Sequence, residues 1–151
     1  MRYERKFRLQ VAHFNNSKAY ELYEQALHLY DTWDEAAYRT ALTSLLECLS
    51  LIHGHNLEVL VEAVGMIPSK SDTWVGVGMV VDDAELLEMV MSWDNANLSV
   101  LPEFAGKRAT TEEIADTLAD KIFRKWSNLQ GVRVSVWETP DICARSIRGT
   151  M

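Results

Sequence analysis

Polar and apolar positions alternate along Phe7-Arg8-Leu9-Gln10-Val11-Ala12-His13, and that period of two predicts a strand over residues 5–14. Asn15-Asn16-Ser17 reads as a turn, with Ser17 placed to cap a helix ahead of Glu21. The period then changes. Tyr20, Tyr23, Leu27 and Tyr30 fall at i, i+3, i+7 and i+10, which predicts a helix over residues 18–31. A second helix is expected from Trp33 or Asp34 to about Leu51, with Tyr38, Ala41, Leu42, Leu45, Leu46 and Leu49 on its apolar side. Alternation returns over residues 53–64, where Leu57, Val59 and Val61 share one face and Glu58 and Glu62 the other.

Gly65 to Gly78 is a polar connection containing Gly and Pro, with an extended segment expected near Trp74-Val75. Asp82, with Glu85 three residues on, forms a capping box for a helix that runs to Trp93 and buries Leu86, Leu87, Val90 and Met91. Asp94-Asn95-Ala96-Asn97 breaks it, and a loop with Pro102 and Gly106 follows. Thr110-Thr111-Glu112-Glu113 starts a further helix that buries Ile114, Leu118, Ile122 and Phe123 and ends near Trp126. Strands are expected over residues 131–138 and 143–148, separated by Pro140. The order β, αα, β, αα, ββ is an α+β pattern. It predicts a four-stranded antiparallel sheet with two helices on one face. A helical hairpin, about residues 17–51, is inserted between the first two strands of a single domain spanning 1–151.

Composition narrows the class. A chain of 151 residues with 48% hydrophobic content supports one domain with a real core. A net charge of -7 argues against a nucleic-acid partner. The apolar runs are too short for a membrane span, and Met1-Arg2-Tyr3-Glu4-Arg5-Lys6 lacks a signal-peptide core, so a cytoplasmic protein is expected. Cys48 and Cys143 are too few for a disulfide framework.

The candidate chemistry centres on histidine. His53 and His55 lie two residues apart on a strand and project from one face, the face of Leu57, Val59 and Val61. His13 shares its face with Phe7, Leu9 and Val11. If the two strands pair, three imidazoles converge toward the buried side. Three histidines with an open fourth position form a catalytic zinc arrangement. A lone His-x-His usually carries no function; here three of the four histidines fit one scheme. The fourth, His28, reads as an ordinary helix residue.

With these motifs in place, the chain resembles the 6-pyruvoyl-tetrahydropterin synthase and 6-carboxy-tetrahydropterin synthase family. The resemblance rests on Val11-Ala12-His13, His53-Gly54-His55-Asn56, Gly78-Met79-Val80-Val81-Asp82, Asp94-x-x-Asn97-Leu98, Thr110-x-Glu112 and Trp137-Glu138-Thr139, six pieces in the right order. It implies the T-fold (tunnelling fold), in which sheets of several subunits close into a barrel with active sites between subunits. It implies zinc on His13, His53 and His55, a homo-hexamer of two trimers, and a pterin small-molecule substrate, 7,8-dihydroneopterin triphosphate. It makes Glu138 the anchor of the pterin ring, since a carboxylate accepts two N–H bonds from an amino-pyrimidinone edge as it does from arginine. Glu112 matches a second polar contact, although a first-turn acid is also favoured there by the helix dipole.

The family's proton-shuttling cysteine stands a few residues before the His-x-His pair. Cys48, five residues before His53, matches it, with a buried core thiol as the alternative reading. Glu47 could serve as base in its place, or be a surface acid. Asp94 matches the relay aspartate, or is a turn residue. The family's relay continues with histidine; here the residue is Asn95, which cannot titrate near neutral pH. The resemblance therefore implies an intact metal and pterin site with altered acid–base machinery. Three functions stay open: the standard lyase, a relative that cleaves the dihydroneopterin side chain without eliminating triphosphate, and a non-catalytic zinc- or pterin-binding protein.

Overall fold

The structure, a computed structural model, describes residues 2–13, 17–30, 34–49, 51–66 and 80–151. Among these residues, five strands form one sheet: β1 (Arg2–His13), β2 (His53–Gly65), β3 (Ala96–Asn97), β4 (Leu129–Thr139) and β5 (Ile142–Gly149). Four α-helices accompany it among the described residues: α1 (Ser17–Tyr30), α2 (Glu35–Leu49), α3 (Asp83–Met91) and α4 (Thr111–Lys125). The sheet order is β3-β1-β2-β4-β5.

The four long strands pair antiparallel, as the alternation predicts. Their register places Phe7 opposite Val59, Val59 opposite Val136, and Val136 opposite Ala144. One row of apolar side chains therefore crosses the sheet, and such cross-strand pairs are the unit in which sheets gain stability. Leu9, Val11, Leu57, Val61, Val132 and Val134 extend that face, and all are buried. Leu86 and Val90 of α3 and Ile114, Leu118 and Ile122 of α4 complete the same core.

The local signals explain the helices. The Asp82 side chain accepts the Glu85 N–H at 3.0 Å and starts α3. The Thr110 hydroxyl accepts the Glu113 N–H at 3.3 Å and starts α4. Glu112 and Glu113 sit in the first turn of α4 and Arg124 and Lys125 in the last, the order that suits the helix dipole. Leu87 and Met91 differ from expectation, for both are exposed. A helix of nine residues shows the sheet only a narrow stripe, here Leu86 and Val90 at i and i+4. Trp93 lies beyond the helix end and is buried against Phe104, ring centroids 5.3 Å apart.

The sheet is mixed rather than purely antiparallel, which corrects the four-stranded expectation. Ala96 and Asn97 run parallel to β1 beside Val11 and Ala12. Two residues carry no readable period, so this strand is set by edge pairing. Gln10 accepts the Asn95 N–H at 2.6 Å and donates its own N–H to the Asp94 carboxylate at 2.8 Å. Asn95 closes the turn with φ of 58°, a left-handed conformation that asparagine tolerates better than most residues.

α1 and α2 pack against each other between β1 and β2, with Ala26 and Ala41 buried. Leu42 and Leu46 of α2 face outward. The expected extended segment near Trp74-Val75, the Gly78-Met79 part of its motif and the Trp33 helix start lie outside the described residues. Among the described residues, no helix is long and apolar enough to cross a membrane.

Candidate functional site

The β1–β2 register sets His13 directly opposite His53 and Val11 opposite His55. Odd-numbered residues of both strands face the helices, so all three imidazoles project to one side at one end of the sheet. Ring centroids are 4.6 Å apart for His13 and His53, 4.7 Å for His13 and His55, and 4.8 Å for His53 and His55. Their ligand nitrogens all lie within 4.8 Å of one another.

Each ring has an acceptor at its Nδ1. His13 Nδ1 donates to the Ala109 carbonyl at 2.5 Å, His55 Nδ1 meets Glu138 Oε1 at 2.8 Å, and His53 Nδ1 makes a long 3.4 Å contact with the Leu51 carbonyl. An N–H held at Nδ1 leaves the Nε2 lone pair free. The Nε2 atoms of His13 and His55 are buried and have no protein partner. A buried polar atom left unpaired costs about 1–3 kcal/mol, a penalty that coordination to a metal ion removes. The donor set therefore fits a divalent ion of the zinc type: three neutral imidazoles, oriented from behind, around one point. Burial holds the His13 imidazole below its ordinary pKa, with the Ala109 hydrogen bond opposing the shift, and this direction favours the uncharged ring that metal binding needs.

The three rings are not equally sheltered. His13 is buried and His55 half-buried, while His53, the first residue of β2, is exposed. The expectation that all three lean inward holds only for the first two. The cluster is open on the His53 side.

Glu138 stands at the end of β4 with the parity of Val132, Val134 and Val136, and so reaches the histidine face. Half-buried, it spends one oxygen on His55. Glu112 is exposed in the first turn of α4, three residues after the Ala109 carbonyl that holds His13. Hence the α4 N-terminus is attached to the histidine cluster.

A sequence model of 6-pyruvoyl tetrahydropterin synthase matches residues 3–148. The chain belongs to the 6-pyruvoyl tetrahydropterin synthase family. Membership makes it, in general terms, a pterin-processing protein of the lyase type. Solved structures show the same T-fold. The 6-pyruvoyl tetrahydropterin synthase of Caenorhabditis elegans is 24% identical, covers 99% of this chain and 96% of its own, and superposes with a TM-score of 0.57. An archaeosine synthase QueF-Like protein is 14% identical over 99% of this chain and 95% of its own, with a TM-score of 0.50. The 6-pyruvoyl tetrahydropterin synthase of Plasmodium vivax is 16% identical over 99% of each chain, also with a TM-score of 0.50. No curated protein sequence matches the chain significantly.

The remaining family positions are distributed as follows. Asp94 follows α3, and its carboxylate accepts from the Gln10 N–H and, at 3.3 Å, from Asn95 Nδ2. It helps to hold the sheet edge. Asn95, where the resemblance leads one to expect a relay histidine, is exposed. A cleft of about 540 Å³ opens beside it, lined by Gln10, Gly54, His55, Asn56, Asn95 and Asn97. Cys48 lies in the last turn of α2, and its side chain is outside the described part of the structure. Glu47 and His28 are exposed on α2 and α1.

Two contacts of the site escaped the sequence reading. The Ala109 carbonyl offers no side-chain signal. The Glu138–His55 contact follows from the β2–β4 register, in which Glu58 opposes Trp137. One further step of that antiparallel register brings Glu138 beside Leu57, on the side where His55 projects.

Proposed function

We propose that the chain is a zinc-dependent pterin-processing lyase acting on 7,8-dihydroneopterin triphosphate, with a product of the 6-carboxy-tetrahydropterin or 6-pyruvoyl-tetrahydropterin type. The observation that carries this reading is the convergence of three imidazoles, each with an acceptor at Nδ1, beside the half-buried carboxylate of Glu138. His13, His53 and His55 hold the metal. Zinc there would supply Lewis-acid polarisation of the substrate's side-chain hydroxyls. Glu138 accepts two N–H groups from the ring edge and orients the substrate, and Glu112 provides a further polar contact. Cys48 moves the proton at the side-chain carbons, with Asp94 assisting.

Asn95 favours a second reading. A carboxamide at the relay position can hold a hydrogen bond but cannot carry a proton. Asp94 next to it is already engaged by Gln10 and Asn95. Both features support a relative whose main reaction is side-chain cleavage of a dihydroneopterin, or one that only binds the pterin. In either case the metal and ring sites are the same.

We further infer a cyclic homo-oligomer of two trimers. Among the described residues, β3 covers only Val11 and Ala12 of the outer edge of β1, and β5 is the last strand on the other side. Sheet edges of this length are normally paired or covered.

Metal analysis of the purified protein tests the first reading. One zinc per chain is expected, lost in His55→Ala. Wild-type metal content in that variant would contradict the assignment.

A further inference from the structure

We propose that Glu138 is a positioning residue of the metal centre: it sets the tautomer and orientation of His55, and so the strength with which the three histidines hold their ion. This inference rests on the proposed metal site and assigns Glu138 a task beyond contacting the pterin ring. Three observations carry it. Glu138 Oε1 lies 2.8 Å from His55 Nδ1, within the range of a charge-assisted hydrogen bond. His55 Nε2, on the other side of the same ring, is buried and has no protein partner. The other two histidines are held by backbone carbonyls, of Ala109 and Leu51, so among the three rings His55 alone is backed by an anion. A carboxylate behind a histidine fixes the Nδ1–H tautomer and makes Nε2 a better donor, the second layer of support that metal sites use widely.

The chemistry leaves room for both tasks. An ionised carboxylate offers about four lone-pair positions over its two oxygens. His55 takes one of them on Oε1. Oε2 and the second lone pair of Oε1 face no protein donor among the described contacts of Glu138. A planar donor pair, such as the N–H groups of an amino-pyrimidinone, can use these while the histidine contact persists. One side chain thus joins the metal centre to the ring subsite, and His55 is the joint.

The test measures zinc affinity without pterin, by competition with a chromophoric chelator, for wild type, Glu138→Gln, Glu138→Ala and the surface control Glu35→Ala. Removing the carboxylate should weaken zinc binding by roughly 10–100-fold in Glu138→Ala. Glu138→Gln should lose less, because a carboxamide oxygen still accepts the Nδ1–H bond. Glu35→Ala should match wild type. Nitrogen-15 NMR of the metal-free protein supplies a second readout: His55 should populate the Nδ1–H tautomer in wild type and a tautomer mixture in Glu138→Ala. Zinc affinity within twofold of wild type in both Glu138 variants, with an unchanged His55 tautomer, overturns the inference. Glu138→Gln, nearly isosteric, carries the test if Glu138→Ala does not fold. Pterin affinity of the same proteins is measured separately. Lost pterin binding with intact zinc affinity refutes the positioning role alone, and lost zinc affinity with intact pterin binding refutes the ring-anchor role alone.

Discussion

Asp94 has one structural task that can be seen and one chemical task that is proposed, and two substitutions separate them. Its Oδ1 accepts the Gln10 N–H at 2.8 Å, its Oδ2 the Asn95 Nδ2 at 3.3 Å, and both contacts are exposed. A hydrogen bond to a charged group contributes about 1.5–3 kcal/mol when sheltered; at this exposed edge water can replace the carboxylate, which leaves about 1 kcal/mol. Asp94→Ala should therefore lower the unfolding free energy by about 1 kcal/mol, or Tm by roughly 2–4 °C in a chain of this length. Asp94→Asn keeps an oxygen for the Gln10 N–H, and Asn95, being exposed, can turn its amide to match. That variant should stay within about 0.5 kcal/mol of wild type, the usual range for a surface change. If Asp94 also assists proton transfer, Asp94→Asn should nevertheless lose on the order of 10²–10⁴ in turnover. Thermal unfolding and a product assay on the same preparations give both numbers. Full turnover in Asp94→Asn would show that Asp94 only ties the turn to β1. Unchanged stability in Asp94→Ala would show that the Gln10 contact contributes nothing.

Two further predictions concern the relay and the assembly. Asn95→His should raise formation of the elimination product at least tenfold, since histidine also tolerates the left-handed turn at φ of 58°; no gain would mean that position 95 is not the relay. Light scattering at micromolar concentration should find a closed oligomer, and a monomer alone would remove the proposed assembly.

Much of the fold was legible because two periods dominate the chain. The alternation through Phe7, Leu9, Val11 and His13, and again through His55, Leu57, Val59 and Val61, set strand faces and hence the side on which the histidines meet. Helix starts were legible at Asp82 and Thr110 because a cap is a local hydrogen bond between residues three apart. What stayed hidden depends on distant partners. β3 exists because the backbone of Gln10 pairs with the Asp94-Asn95 turn, and no periodicity announces that. The exposure of Leu87 and Met91 follows from how little of a short helix the sheet can cover. The convergence of His13, His53 and His55, the proposed metal ligands, could be read from strand parity, whereas the groups behind His13 and His55, Ala109 and Glu138, come from the segment leading into α4 and from β4, remote in sequence. The resemblance supplied the role of Glu138 toward the ring; its contact with His55 required the register.

The most direct measurement is the fate of 7,8-dihydroneopterin triphosphate incubated with the zinc-loaded protein and with the same protein after chelation, its products resolved by mass spectrometry. Zinc-dependent consumption with alteration of the side chain is expected, slower by about 10²–10⁴-fold than in an enzyme with an intact histidine relay. Equal consumption with and without metal, or neither consumption nor binding by the zinc-loaded protein, would contradict it.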